Sequence, residues 1–402
     1  MKRHIIIYLI AIFPLIGFAQ KRQIAKARDL VQAGKDLEKV EKSMRELLSD
    51  SNNMYNTKVW IVLCESLMKQ YEKGNEKLYL KQKYDTIEFF SLVKRMYQTM
   101  ERFDTIDAKL YTNNAIKPKY RQRHARILIS IRPNLFNGAN YYLVKKDYST
   151  AFDYFSLFIL SDKASLFTGY NFEKKDPLMP HAAYWSMYCG YKLRNPDKIM
   201  KFSSIAEKDT SMLHFVKQYE AEAYSIKKDT VAYINALKAG FEAFPNFAFF
   251  FPRLVEYYSN NNHYEDALYV VNRALEADST SLLFRFTKST VLLNLGQYDE
   301  CIDICKKIIA EHKNFSAAYY NIGLSYFDEA IELSKKKPSE SNFSNLQELY
   351  KKALPFLEKY KYLSPDSKDK WLIPLYTIYL NLNMGKEFDE IEKIKNEYRD
   401  NS

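Results

Sequence analysis

The thiols of Cys301 and Cys305 stand four residues apart and are the chain's closest pair of cysteines. On one turn of helix their Cβ atoms lie about 5–6 Å apart, against the roughly 3.8 Å that a disulfide wants. A zinc site needs a second pair or histidines at short spacing, and the nearest histidine, His312, has no such company. The pair therefore reads as two small apolar residues packed inside a core, as do the isolated Cys64 and Cys189. His4, His124, His181, His214, His263 and His312 are scattered, with no H-E-x-x-H or H-x-x-E-H among them. Carboxylate pairs such as Asp299-Glu300 read as solvated helix surface. These residues predict no catalytic site, no metal and no cofactor.

Composition narrows the field further. The 402 residues are 27% charged and 47% hydrophobic, which is globular rather than disordered. Only 10 are Gly, and no two lie closer than the 17 positions from Gly17 to Gly34. Dinucleotide-binding, P-loop and nucleophile-elbow signatures each need two closely spaced glycines, so all three are excluded. The four cysteines offer no disulfide framework.

A Gly-poor, helix-compatible chain invites a search for repeats. Tyr264-Glu-Asp-Ala267 recurs as Tyr298-Asp-Glu-Cys301, a shift of 34, at which Val271 also matches Cys305 and Ala274 matches Ile308. Phe251, Leu254, Val255 and Tyr258 have the i, i+3, i+4, i+7 spacing of one apolar helix face, and so have Tyr319, Ile322, Gly323 and Tyr326. Ala353, Leu357 and Pro365 complete a second helix and its stop. Paired helices of this kind cannot bury their apolar faces alone, so they must stack on neighbours.

These residues resemble the tetratricopeptide repeat pattern of an aromatic, Leu-Gly, Tyr, then Ala, Phe, Ala and Pro over 34 residues. The resemblance runs through 134–386, and within 20–133 it rests on periodicity and on Trp60-x2-Leu63-Cys64-x2-Leu67. Ser279 stands where Pro is usual, and Lys288-Ser289 replaces Leu-Gly. The runs 249–253, 284–294 and 375–386 are similar to a group of exported bacterial proteins of this family. The resemblance implies an all-α, right-handed solenoid of about seven to nine helix pairs, non-catalytic, whose first helices line a concave groove for a protein partner. By position, the groove residues would be Phe249, Glu256, Phe286, Thr290, Tyr320, Leu324 and Phe327. An insertion at about 330–349 is expected to lengthen a first helix and then form an exposed polar loop.

Lys2, Arg3 and His4 precede the 14 apolar residues Ile5 to Phe18, with Gly17 and Ala19 at small-x-small positions. This reads as a signal peptide over 1–19 and predicts a soluble periplasmic protein of a bacterium that begins near Gln20. No Cys follows for a lipid anchor, and no later stretch is apolar enough to span a membrane. The alternative is an uncleaved anchor, which Pro14 and the short length oppose.

From Ala108 to Lys146 there is no Asp or Glu but nine Lys and Arg. Lys117, Lys119, Arg121, Arg123, Arg126 and Arg132 would form a surface for an anionic partner such as an envelope polyanion or glycan; the competing reading is a solvated helix face. Export argues against nucleic acid. The 33 Tyr and 26 Phe fall mostly at helix-packing positions, although exposed rings could also serve glycan binding. The expectation is a protein-binding scaffold, with glycan or polyanion binding as the alternative.

Overall fold

A computed structural model describes residues 19–109, 118–337 and 339–400, and every regular element among them is helical. The chain divides into two compact units, 1–229 and 230–402.

The first unit holds α1 (19–32), α2 (Leu37–Ser49), α3 (Thr57–Tyr79), α4 (Thr86–Lys109), α5 (Arg121–Ile131), α6 (Pro133–Val144) and α7 (Tyr148–Leu160). Then follow α8 (Phe172–Lys175), α9 (Leu178–Lys192), α10 (Pro196–Met200), α11 (Ser203–Ala206) and α12 (Leu213–Lys227). α2 packs on α3, α3 on α4, α6 on α7 and α7 on α9; α4 touches both the short α5 and α6, and α9 packs against α10, α11 and α12. Between α7 and α9 the chain is ordered as two 3-10 turns, Ser161–Lys163 and Ser165–Phe167, and α8. Buried rings fill this core: Tyr97, Phe103, Phe155, Phe158 and Phe167 are each 1% exposed or less.

The second unit is more regular. It contains α13 (Thr230–Ala243), α14 (Phe250–Asn260), α15 (Tyr264–Ala277), α16 (Leu282–Asn294), α17 (Tyr298–Glu311), α18 (Ser316–Ser334), α19 (Glu340–Leu363), α20 (Lys368–Asn381) and α21 (Gly385–Asp400). Each helix packs on the next in sequence, and α16 also lies against α18. The inserted residues extend α18 and start α19 early, leaving a connection shorter than the sequence predicts.

One turn recurs. Arg194, Lys228, Asn262 and Gly296, 34 residues apart in register, all have left-handed backbone with φ of 50°, 59°, 58° and 71°. In each case the next amide reaches back to a carbonyl five residues earlier: Asn195 to Gly190, Asp229 to Tyr224, His263 to Tyr258, Gln297 to Leu292. This is the helix-ending motif that satisfies orphan carbonyls and reverses the chain. It sets the tight turn within each helix pair.

Candidate functional site

The first helices α14, α16 and α18 carry the predicted groove residues except Phe249, which caps the start of α14, and the structure treats them unequally. Phe249 is 7% exposed, because the Arg253 guanidinium lies 3.8 Å from its ring centroid and donates to its carbonyl. It is a packing residue rather than a free groove side chain. Glu256 is exposed. Phe286 is half-buried, edge-on to Phe315 at 5.0 Å. On α18, Tyr320 rests on Tyr360 at 4.7 Å, Phe327 on Tyr350 at 6.1 Å, and Leu324 is half-exposed between them in sequence. Their spacing of four and three puts them on one side of α18, while Ala318, Ile322 and Ala330 are fully buried.

Thr290 is part of a polar link that joins α16 to α18. Asn321 Nδ2 donates to Ser289 Oγ and to Thr290 Oγ1, both at 3.1 Å, and the Ser325 hydroxyl donates to the Asn321 carbonyl. The Cys305 thiol faces the Ser289 hydroxyl and the Cys301 thiol faces that of Ser325. The neighbouring Cys301 thiol, and after it burial, push the Cys305 thiol up, and Cys64 and Cys189 are each raised to about 12 by burial. All four cysteines are buried and free, as the spacing of Cys301 and Cys305 predicts. Asn321 and Ser289 were not among the groove candidates. Ser289 at the usual Gly position was the signal that a polar partner lay nearby.

The basic stretch is only partly a surface. Arg121 makes a two-pronged bond to Asp104, whose side chain is fully buried, at 2.9 and 2.8 Å. Arg132 is 4% exposed, pairs with Asp176, donates to the Phe158 carbonyl and lies 3.6 Å from the Phe158 ring centroid. Both are internal struts, a correction to their reading as surface cations. Their partners sit elsewhere in the fold, Asp104 on α4 and Asp176 at the end of α8, where a local charge count cannot find them. Lys119, Arg123 and Arg126 are exposed, and Lys117 lies outside the described residues.

Among the described residues no group of three or more His, Cys, Asp or Glu is placed to hold a metal, and no helix is long and apolar enough to cross a membrane. Three apolar side chains missed by the sequence pattern, Leu283, Ile373 and Leu380, are 58%, 54% and 51% exposed on the first helices α16 and α20.

Residues 260–329 match the family described as anaphase-promoting complex, cyclosome, subunit 3. Over 91 residues the chain is 25% identical to Hsp70-Hsp90 organizing protein 1 of Glycine max, a match covering 23% of this chain and 16% of the relative. Among solved structures it is similar to the C-terminal part of a TPR repeat-containing protein from Cytophaga hutchinsonii, at 13% identity and a TM-score of 0.42, covering 64% of this chain and 93% of that one. A tetratricopeptide repeat protein from Parabacteroides merdae is similar at 13% identity and a TM-score of 0.35, covering 63% and 98%. The 34-residue register and the helix pairs that realise it give the chain the helix-pair fold of tetratricopeptide repeats, and the family match falls on residues 260–329 of it.

Proposed function

We propose that this protein is a non-catalytic scaffold of the bacterial periplasm that holds protein partners on the first-helix face of its second unit. The observation that carries the reading is the side of α18 bearing Tyr320, Leu324 and Phe327. These apolar residues are only half-buried while the opposite side of the same helix is fully buried. Apolar and aromatic anchors bordered by a polar rim suit a protein interface, and Glu256 and Thr290 supply polar neighbours. The matched family is named for a subunit of an assembly, and the matched curated relative for organizing two other proteins. The periplasmic assignment rests on the basic, apolar and small-residue order of residues 1–19.

Affinity isolation of the tagged protein from its native envelope, beside a Leu324→Glu variant, tests the binding face. A stoichiometric protein that persists at high salt and is lost with the variant is the expected result. Recovery of polysaccharide alone, lost at high salt, would replace this reading with polyanion binding through Lys119, Arg123 and Arg126. Fractionation with N-terminal sequencing tests export, with a mature start near Gln20 expected.

A further inference from the structure

A cavity of about 730 Å³ opens in the first unit, between α2, the 3-10 turn Ser51–Asn53, α3 and α4. That volume falls within the range of small-molecule sites. Arg45, Thr99 and Arg102 line it together with Leu48, Met54 and Trp60, and no carboxylate lines it.

The charges around it do not balance. Glu41, 7% exposed, accepts from Arg45 and Arg95 at 3.0 Å each, and Glu88 takes a further Arg95 nitrogen at 2.8 Å. Asp104 is occupied by Arg121. Arg102 has no carboxylate or hydrogen-bond partner among the described residues; its guanidinium sits 5.7 Å from the Trp60 ring centroid. Glu101, beside Arg102 in sequence, is held toward its neutral form by burial. Thr99, 3% exposed, accepts from Arg45 and so keeps its own hydroxyl hydrogen to give. The Trp60 N–H is spent on the Met54 carbonyl, which leaves the indole as an apolar wall.

We propose that this cavity binds a small organic acid, one carboxylate carried on an apolar body. Arg102 and Arg45 meet the anion, and Leu48, Met54 and Trp60 meet the hydrocarbon. One unbalanced guanidinium on the wall matches one negative charge, and an arginine fork fits a carboxylate's geometry. The site is independent of the proposed protein-binding face.

The test is fluorine NMR of the full chain labelled with 5-fluorotryptophan, titrated with hexanoate and, as neutral isostere, hexanamide. Trp60, Trp185 and Trp371 give three signals, assigned by Trp→Phe substitution. Hexanoate should shift the Trp60 signal alone, saturably, and hexanamide should not. Arg102→Gln, an exposed substitution, should weaken hexanoate by ~10-fold or more, as expected for a charge-assisted bond. Lys306→Gln on α17 should leave it unchanged. The proposal is overturned if hexanamide shifts Trp60 as strongly, if Trp60 does not respond, or if Arg102→Gln binds hexanoate equally well.

Discussion

Asn321 on α18 donates from Nδ2 to Ser289 Oγ on α16 at 3.1 Å, from a position only 4% exposed. A buried amide of this kind stabilises when both partners are present and costs when one is removed. Asn321→Ala should therefore lower unfolding free energy by ~1–3 kcal/mol, measured by urea titration. Combined with Ser289→Ala the loss should be smaller than the sum of the two, because each single change strands the other's polar atom. Strict additivity would show that the bond contributes nothing.

Gly323 stands 34 residues after Ser289, in the same place in its helix pair. A Cβ built on Gly323 would meet Leu357 Cγ at 2.6 Å, closer than side chains approach. Opposite Ser289 the facing thiol is Cys305, which is smaller than leucine. Bulk on one helix is thus traded for bulk on its partner. Gly323→Ser should destabilise by ~1–3 kcal/mol through overpacking, and Leu357→Cys by a similar amount through the void it leaves. The double variant, which copies the preceding pair, should recover most of the loss. A double-mutant cycle with no coupling energy would refute the trade.

Much of the fold could be read from spacing alone, since the Tyr-x-x-Ala and Tyr-x-x-Ile-Gly-x-x-Tyr patterns report which helix faces are buried. The four buried cysteines were equally legible from their apolar settings. Less so was the insertion, because Ser339 to Leu349 reads as polar loop by composition yet Ser339 caps α19 by accepting from the Asn342 amide. Arg121 and Arg132 misled for a different reason. A charge's partner is a tertiary fact, and Asp104 and Asp176 lie 17 and 44 residues away. The recurring left-handed turn is not legible either, since Arg194, Lys228 and Asn262 hold a conformation usually signalled by glycine.

That turn makes a prediction about those residues. A non-glycine residue in left-handed backbone costs roughly 1–2 kcal/mol, which Gly296 avoids at the equivalent position. Lys228→Gly and Arg194→Gly should each raise thermal stability by about 1 kcal/mol, less the extra entropy that glycine brings to the unfolded chain. Gly296→Ala should do the reverse. Destabilisation by both glycine substitutions, measured by calorimetry, would show that side-chain contacts at these turns outweigh backbone strain.

Arg121 and Arg123 are two residues apart and should behave as opposites. Removing Arg121 leaves the fully buried Asp104 carboxylate with Ser165 as its one remaining side-chain partner among the described residues. Arg121→Ala should cost ~3–5 kcal/mol, the usual penalty for stranding one half of a buried pair. Arg123→Ala, on the exposed side of α5, should change stability by less than ~0.5 kcal/mol. Equal effects in urea titrations would contradict the division of the basic stretch into internal struts and surface cations.

Glu101 and His124 should pull stability in opposite directions with pH. Burial, helped by the Asp104 charge, raises the Glu101 carboxyl from an ordinary 4.5 to about 7. Burial, helped by Arg123, lowers His124 from 6.5 to about 4. Between pH 4.5 and about 7 the folded protein keeps the Glu101 proton that the unfolded chain has released, so this group removes stability as pH rises. Between about 4 and 6.5 the unfolded chain holds the His124 proton that the folded protein refuses, so this group adds stability as pH rises. Each slope is worth on the order of 3 kcal/mol across its window. In their overlap the two cancel, and the wild-type contribution from this pair should be nearly flat. Glu101→Gln should uncover a rise in the urea midpoint with pH over that range, and His124→Gln a fall. Parallel profiles for all three proteins would show that neither side chain is held in its neutral form by the fold.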